Sequence, residues 1–574
     1  MNRVVRALWQ HGLFWICVAV LMALLVYPIA LTVRGGFYAD PVGRSGFTLE
    51  HLALVFADPR LMGSLLNSFM IAAGTTTMAT LIALPLAVLS ARYTFPGKAL
   101  FNAAVLVPLI LPPFVGAIGM RAILGRAGAL NALLGTDWNI LGDAAALGII
   151  AIQSLSLYPI IYLNASASLA NLDPALDESA RNLGAPFWPR FFRITLPLLR
   201  PGLFAGATIV FIWSFTELGT PLMFDFYEVA PVQIFNGLKE VEGSSRPYAL
   251  TVVVLGCAVG LYLLGKFVFG KQGYAMQTRA SRAGDLATLS GGRGWLAAGA
   301  FALVAFLALM PHIGVVLTSL AKPGQWYHSV VPKALTLSHY EQALTSGDSF
   351  RAISNSLKLS AAAMGVDLFA GLLIAYLLVR TTSRFKWVLD ALCMMPLAVP
   401  GLVLAFGYVA MSLRWPFGKD GPLGAFASVL AADPNPIPFL VIAYAVRRLP
   451  YIVRSCVAGL EQTSGDLEEA AMNLGASRLT AVRRIIVPLI LANLIAGGLL
   501  VFSFSMLEVS DSLILAQQTG DYPITKTILA FMDRLGDGPY IASAMGVWGM
   551  ALLTTTIFAA SALLGKKMGT IFRA

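Results

Sequence analysis

Charged residues are scarce in this sequence, and the residues that usually build catalytic or metal centres are few and scattered. Asp, Glu, Lys and Arg make up only 12% of the 574 residues, about half of their share in a soluble domain. The four cysteines lie in or beside apolar segments without the spacing of a metal or redox motif, and the five histidines form no HxxxH pair. We therefore expect no metal site within the chain.

The sequence also lacks the nucleotide-binding loop GxxxxGK[ST]. Every Gly-Lys pair is followed by Ala, Phe, Gln, Asp or Lys, and never by Ser or Thr, so the Mg²⁺-binding hydroxyl of such a loop is missing. The formal net charge of +11 is not gathered into a basic patch with interleaved aromatic residues, which argues against a nucleic-acid partner. The chain is accordingly predicted to hydrolyse no nucleotide and to carry no cofactor.

Long apolar runs are what the sequence contains instead. Hydrophobic residues make up 57% of the chain, and runs of about 20 such residues can cross a bilayer. The first run follows Arg3 and Arg6 and is too long for the apolar core of a signal peptide, so we expect it to be retained. Twelve spans fit the pattern, with centres near Met22, Met78, Ile110, Ile152, Ile212, Ala258, Phe306, Leu368, Pro400, Ala443, Leu499 and Leu552.

Lys and Arg are more frequent on one side of these twelve spans. With an even number of spans, the positive-inside rule then predicts that both termini are cytoplasmic. Lys566 and Lys567 close the chain on that side. A polar stretch at residues 271–294, rich in Gly, Ser, Arg and Ala, reads as a cytoplasmic linker between two halves.

An internal repeat relates residues 1–270 to residues 295–574. Two groups of residues recur, the first at an offset of 288 and the second at 291, and an insertion of three residues between Pro416 and Pro436 explains the change. At the offset of 288, Asn67, Ser68, Pro108 and Pro112 recur as Asn355, Ser356, Pro396 and Pro400. At the offset of 291, Pro159, Gly184, Pro197 and Glu217 recur as Pro450, Gly475, Pro488 and Glu508.

Each repeat holds six spans, an even number, so both cross the membrane in the same direction. Repeats of this kind are related by an axis along the membrane normal. The predicted fold is therefore an all-α integral membrane protein with about 12 transmembrane helices in two parallel six-helix repeats. The prolines near the centre of the third span in each repeat are expected to kink it.

Two cytoplasmic loops, residues 172–197 and 463–488, are the best-matched part of the repeat. They contain DPALDESARNLG (173–184) and SGDLEEAAMNLG (464–475). Each predicts a short helix that begins at an N-cap, Asp173 or Ser464, and ends at a left-handed glycine, Gly184 or Gly475. One face of each helix is apolar, with Leu176, Ala180 and Leu183 in the first and Leu467, Ala471 and Leu474 in the second. A second helical stretch follows and is predicted to stop at Pro197 or Pro488.

The pattern Glu-Ala-Ala, three residues, Gly, nine residues, Ile-x-Leu-Pro resembles the loop of binding-protein-dependent ABC importer permeases. In that family the loop forms the coupling helix, which sits in a cleft of the ATPase subunit. The first copy departs from the pattern at Ser179, and the second at Val487. Matching residues are Glu178, Ala180, Gly184, Ile194, Leu196 and Pro197 in the first copy, and Glu469, Ala470, Ala471, Gly475, Ile485 and Pro488 in the second.

This resemblance implies the type I ABC importer permease fold in a bacterial inner membrane. It also implies two ABC ATPase subunits on the cytoplasmic side and a periplasmic substrate-binding protein on the other. The sequence Arg447-Arg448-Leu449-Pro450 and the fused two-half layout resemble the ferric-iron branch of the family, which lies close to thiamine and aminoethylphosphonate permeases. Ferric iron is therefore the predicted cargo, with thiamine, aminoethylphosphonate or another small solute as the alternatives. A secondary transporter with 6+6 repeats is the alternative class, but an ion-driven carrier has no ATPase to dock.

Four acidic residues within or near the spans are candidates for a translocation path. An ionisable side chain at the centre of a bilayer costs about 2.5–3.5 kcal/mol on insertion scales and therefore has a functional or structural reason to be there. Glu217 and Glu508 occupy equivalent positions, Asp511 follows Glu508 by one helical turn, and Asp367 lies in the middle of a span. They predict either an acid-lined path for a cationic or metal-bearing cargo, or hydrogen bonding between helices.

Overall fold

The structure is a computed structural model, and it describes residues 3–39, 46–109, 112–170, 172–269, 287–381, 383–418 and 420–564. In this part of the chain almost all regular structure is helical. The two strands, Tyr93–Thr94 and Ala287–Thr288, are two residues long and pair in parallel. The all-α prediction is therefore confirmed.

The first repeat contains fifteen α-helices among the described residues, and most of them are separated by only a few residues. Its helices are Arg3–Leu21, Tyr27–Gly36, Glu50–Ala57, Pro59–Arg92, Lys98–Ala104, Pro113–Leu124, Ala129–Leu134, Ile140–Asp143, Ala145–Ala170, Pro174–Asn182, Phe187–Arg190, Leu196–Phe215, Gly219–Met223, Ala230–Asn236 and Arg246–Phe269. Short π-helical turns lie at Met22–Val26 and Phe191–Thr195, and 3₁₀ turns at Val107–Leu109 and Gly237–Glu240.

The second repeat contains thirteen α-helices among the described residues. Its helices are Gly292–Leu320, Ser338–Thr345, Gly347–Arg380, Lys386–Ala398, Gly401–Ser412, Ile437–Glu461, Asp466–Asn473, Arg478–Ala481, Val487–Leu489, Leu491–Met506, Ser510–Leu515, Ile524–Met532 and Gly538–Leu564. A π-helical turn lies at Val482–Ile486, at the position equivalent to the one in the first repeat, and a 3₁₀ turn at Thr519–Asp521.

By length and composition, eight described helices can cross a membrane, or eleven when each of three bent pairs counts as one span. The predicted span centred on Ala443 is not among the eleven. It coincides with Ile437–Glu461, a helix of 25 residues that carries three arginines. The centre predicted at Ile110 lies outside the described residues, between the two helices of a bent pair. The multi-span prediction is confirmed.

The third span of each repeat is bent, as its prolines predict. The helices on either side of the bend meet at 97° in the first repeat and at 105° in the second. In both cases the second helix begins directly after an extended proline, with ψ of 141° at Pro112 and 132° at Pro400. An extended residue interrupts the helical hydrogen bonds, and proline has no N–H with which to restore them. A third bend, of 77° in the fifth span of the second repeat, was not predicted.

The chain packs into two compact units that do not coincide with the two sequence repeats. One unit comprises the described residues within Met1–Met62, Pro231–Leu255 and Thr336–Ile571, and the other those within Gly63–Ala230 and Gly256–Leu335. Each unit therefore contains the first span of one repeat together with the second to fifth spans of the other. The repeat boundaries at residues 270 and 295 remain a prediction about sequence. Most of the predicted linker lies outside the described residues, and Gly292–Leu320 begins within its last three positions.

Equivalent glycines allow the first span to pack closely in both units. A Cβ on Gly407 would lie 2.8 Å from the backbone of Pro28, and a Cβ on Gly119 would lie 2.2 Å from the carbonyl oxygen of Pro311. Gly119 and Gly407 are 288 residues apart. Only a residue without a side chain fits at such an approach, so the repeat preserves the contact between the third span and the first span of the other repeat.

The recurring Asn-Ser pair of the second span also has a structural role. Asn67 donates to the carbonyl of Glu228 at 2.9 Å, and Ser68 accepts from the N–H of Ala230 at 2.9 Å. In the second repeat, Asn355 donates to the carbonyl of Gly520 at 2.9 Å, and Ser356 accepts from the N–H of Ile524 at 2.8 Å. Each pair thus fixes the start of the short helix before the sixth span, where free N–H groups need partners.

Candidate functional site

The two cytoplasmic loops contain the predicted short helices, Pro174–Asn182 (the first loop helix) and Asp466–Asn473 (the second loop helix). The carboxylate of Asp173 accepts a hydrogen bond from the N–H of Ala175 at 2.9 Å. At the equivalent position, the hydroxyl of Ser464 accepts from the N–H of Asp466 at 3.1 Å. Asp173 is therefore the N-cap that the sequence predicts. The prediction of Ser464 was wrong by one residue: the N-cap of the second loop helix is Gly465, and Ser464 bonds to the first N–H of the helix from the position before that cap.

Both loop helices end as predicted, at a glycine with positive φ. The φ angle is +80° at Gly184 and +91° at Gly475. The N–H of Ala185 bonds to the carbonyl of Ala180 at 3.0 Å, and that of Gly184 to Arg181 at 2.9 Å. Equivalent bonds of 3.1 Å join Ala476 to Ala471 and Gly475 to Met472. This is the Schellman pattern, which pairs the last carbonyls of a helix and turns the chain sharply.

The apolar face of each loop helix is exposed. Leu183 is 88% exposed and its equivalent Leu474 is 90% exposed, while Leu176 and Leu467 are 50% and 48% exposed. Glu178 and Glu469 are exposed beside them. Large apolar side chains that are exposed at matching positions of two repeats mark a surface for another protein or a membrane.

The second helical stretch differs from the prediction at Pro197. The chain does not stop there: a continuous helix runs over Phe187–Phe215. A π-helical turn at Phe191–Thr195 places Pro197 in the first turn of the α-helix that follows, where a missing N–H is tolerated. In the second repeat the helix ends at Leu489, directly after Pro488, as predicted. Ile194 and Ile485 are partly buried in these stretches.

Sequence reasoning missed two arginines that contact the loop helices. Arg92 and Arg380 are the last residues of the second spans, Pro59–Arg92 and Gly347–Arg380. Each forms an ion pair with an acidic residue of the loop helix in its own repeat, Asp177 or Glu468. The two arginines are 288 residues apart. This is the repeat offset, so the sequence repeat could have identified them.

The acids proposed for a path lie where the fifth spans end. Glu217 follows Leu196–Phe215 by two residues, and Glu508 follows Leu491–Met506 by two residues. In each repeat a short helix begins shortly afterwards, so both acids occupy a break between helices. The carboxylate of Glu217 accepts from the N–H of Thr220 at 3.3 Å and from its hydroxyl at 3.4 Å.

Glu508 belongs to a buried ion cluster whose two arginines are not repeated in the sequence of the first repeat. Arg447 and Arg448, in the middle of Ile437–Glu461, contact its two carboxylate oxygens. Arg447 also lies 3.3 Å from an oxygen of Asp511, which is fully buried. The positions of the two arginines correspond to Ser156 and Leu157 at the offset of 291. Two positive charges therefore balance two negative ones, and this geometry favours the structural interpretation of Glu508 and Asp511 over that of an acidic lining.

Asp367 lies near enough to Arg448 of this cluster to interact with it electrostatically. It is buried within Gly347–Arg380, and its Oδ2 has no hydrogen-bond partner among the described residues. Over the same part of the chain, no three His, Cys, Asp or Glu side chains are placed to hold a metal ion. The pathway role of Asp367 and Glu217 stays a prediction.

A comparison with protein families identifies one matching model. Residues 79–227 and 367–569 match the family described as "Binding-protein-dependent transport system inner membrane component". The two matched segments begin 288 residues apart, which is the offset of the repeat, and together they cover more than half of the chain.

Curated relatives resemble either the whole chain or one repeat. The ferric transport system permease protein FbpB of Actinobacillus pleuropneumoniae is 26% identical over 91% of this chain and 73% of its own length. The Fe(3+)-transport system permease protein FbpB 2 of Haemophilus influenzae is 27% identical over 84% of this chain and 86% of its own. The molybdenum transport system permease protein ModB of Escherichia coli is 31% identical, but it covers 38% of this chain with 96% of its own length.

Proposed function

Because the chain belongs to the family of binding-protein-dependent transport system inner membrane components, we propose that it is the permease of an ABC importer for ferric iron. A periplasmic binding protein delivers the iron, and two ATPase subunits bind the two cytoplasmic loops. One chain supplies both halves of the pathway, and both of its termini are cytoplasmic. The chain contributes no covalent chemistry and binds no cofactor of its own.

The choice of ferric iron as the cargo rests on how much of this chain the relatives named for ferric transport match. Two relatives named for ferric transport match 84% or more of this chain. The molybdenum relative matches 38%, which is the size of a single repeat. The fused layout and the sequence Arg447-Arg448-Leu449-Pro450 support the same branch. Thiamine, aminoethylphosphonate and an oxyanion such as molybdate are the competing cargoes.

The exposed apolar faces of the loop helices support ATPase docking. Leu183 and Leu474 are almost fully exposed at equivalent positions, and burying a leucine side chain is worth about 1.5–3 kcal/mol. The glutamates of the motif, Glu178 and Glu469, stand beside them. Closure of two ATP-bound subunits would draw the two loop helices together, and the bundles connected to them would open toward the other side of the membrane.

Uptake by the reconstituted complex tests this proposal. Proteoliposomes with the permease, its ATPase and its binding protein should accumulate radioactive ferric iron only when ATP is enclosed, and excess thiamine, aminoethylphosphonate or molybdate should not compete. Competition by one of these solutes would replace iron as the cargo. Uptake without the ATPase that a protonophore abolishes would instead establish a secondary transporter.

A further inference from the structure

An ion pair at the same position in both repeats joins each loop helix to the second span. Arg92 Nη2 lies 3.5 Å from Asp177 Oδ1. In the other repeat, Arg380 Nε lies 3.9 Å from Glu468 Oε2. The arginines are related by the offset of 288 and the acids by the offset of 291. The same contact is therefore built twice in a chain whose two repeats differ at most positions.

Each arginine also bonds to a third element. Arg92 donates to the hydroxyl of Thr195 at 2.6 Å, at the start of the fifth span. Arg380 donates to the carbonyl of Leu460 at 3.1 Å and to the carbonyl of Thr463 at 2.8 Å, at the end of the fourth span. We call the group of contacts around Arg92 the first junction and the group around Arg380 the second junction. The planar guanidinium group of arginine suits such a junction, because its five N–H donors point in fixed directions. Each junction thus connects the loop helix with two spans.

A second arginine completes each junction from the helix that follows the loop. Arg190 lies 3.5 Å from Asp177, and Arg478 lies 3.7 Å from Glu468. These two arginines do not occupy equivalent positions, since they are 288 residues apart where the local offset is 291. The acid is thus flanked by two arginines in both repeats, although the second arginine comes from a different helical position.

The two junctions differ in burial. The Glu468 side chain is 5% exposed, and it accepts a hydrogen bond from the hydroxyl of Tyr376. The Asp177 side chain is 31% exposed, and Val88 stands at the position equivalent to Tyr376. Charges removed from water interact more strongly, and the loss of one partner leaves the other uncompensated. The second junction is therefore the more rigid one.

We propose that Arg92 and Arg380 are positioning residues that transmit the movement of each loop helix to the membrane spans. This inference rests on the proposed docking of ATPase subunits at the loops. A loop helix that is pushed by its ATPase must move the second span with it, because the ion pair ties the helix to the end of that span. Without the pair the helix could shift alone, and hydrolysis would continue without transport.

The test compares ATPase binding, hydrolysis and transport in one reconstituted system. The double variant Arg92→Gln and Arg380→Gln should bind the ATPase as tightly as the unchanged permease and hydrolyse ATP at a similar rate. Transport per ATP hydrolysed should fall by about fivefold or more, within the usual range of coupling between sites. Arg92→Lys with Arg380→Lys keeps both charges and should restore part of the ratio. The exposed Arg384, changed to Gln, also removes a positive charge but belongs to neither ion-pair group, so it is the charge-matched control and should change nothing.

An unchanged transport-to-hydrolysis ratio in the Gln double variant would overturn the inference. If the Gln double variant does not accumulate, Asp177→Asn with Glu468→Gln carries the test, because these changes leave the arginine bonds to the fourth and fifth spans in place. The acid variants must lose coupling in the same way, and normal coupling in them would overturn the inference too. Failure of the unchanged permease to bind any ATPase is a separate result, and it would refute the proposed function instead.

Discussion

A single glycine sets the turn of the chain at the end of each loop helix. Gly184 and Gly475 have positive φ, and a Cβ at either position would meet no atom within 4 Å. A side chain there has open space, so its penalty lies in the backbone conformation alone. Gly465, one residue before the second loop helix, offers a matched comparison: its φ is −64° and its surroundings are equally open.

Valine at both Gly184 and Gly475 should weaken ATPase binding while leaving the spans inserted. A Cβ in the left-handed region costs about 1–2 kcal/mol, and a β-branched side chain should cost more. The measurement is co-purification of the ATPase with the permease, together with ATP hydrolysis stimulated by the binding protein. Single variants should show an intermediate loss, and Gly465→Val should show none. Full docking and full stimulation in the double variant would contradict the assignment of the loops as coupling sites.

Among the elements, the fifth spans show best how the two repeats diverge. Both break just before a glutamate, and Glu508 meets two arginines from the fourth span. Glu217 accepts a hydrogen bond from Thr220 of the short helix that follows, and Ser156 and Leu157 stand at the positions of the two arginines. The two equivalent glutamates thus have different surroundings, and their replacement should have different consequences in the two repeats.

Glu508→Gln should lower the thermal midpoint of the detergent-solubilised permease by more than Glu217→Gln does. Removing one partner of a buried ion pair costs about 3–5 kcal/mol, because the other charge stays buried without compensation. Thermal unfolding of the two purified single variants measures this difference. An unchanged midpoint for Glu508→Gln, combined with reduced uptake, would assign Glu508 to the translocation path rather than to the packing of the fourth and fifth spans.

Features with local causes were predictable from the sequence. The cap at Asp173, the left-handed glycines and the bends after Pro112 and Pro400 each depend on a few neighbouring residues, and each appears as predicted. The cap of the second loop helix lies at Gly465, one residue after the predicted Ser464. The π-helical turn at Phe191–Thr195 was not predicted, and it leaves Pro197 within a continuous helix. The pairing of Arg447 with Glu508 spans 61 residues, and no spacing rule specifies which distant charges meet.

For the whole molecule, the compact units do not follow the order of the spans along the chain, but the equivalent contacts in the two units follow the duplication. A repeat of six spans does not form a compact unit by itself, since each unit includes the first span of the other repeat. Gly119 and Gly407 lie at these contacts, and neither was predicted to have a packing role. The repeat offset was nevertheless present in the sequence, and a search for glycines shared at 288 residues would have found this pair.

Valine at Gly407 or Gly119 should destabilise the packing of the first span in one unit. An added Cβ would lie 2.8 Å from Pro28 backbone atoms in one case and 2.2 Å from the Pro311 carbonyl oxygen in the other. Backbone atoms cannot rotate away as a side chain can, so the helices must separate, and overpacking of this kind costs about 1–3 kcal/mol. Thermal unfolding should show a lower midpoint for both variants.

Two further glycines separate this effect from a general intolerance of valine in membrane helices. Gly299 lies in the first span of the second repeat and Gly365 in its second span, and a Cβ at either would meet no atom within 4 Å. Gly299→Val and Gly365→Val should therefore keep the midpoint of the unchanged permease. Because the two sensitive glycines are equivalent in the repeat, their variants should be impaired to a similar degree. A normal midpoint for both Gly119→Val and Gly407→Val would mean that the first spans are not held in the units to which the structure assigns them.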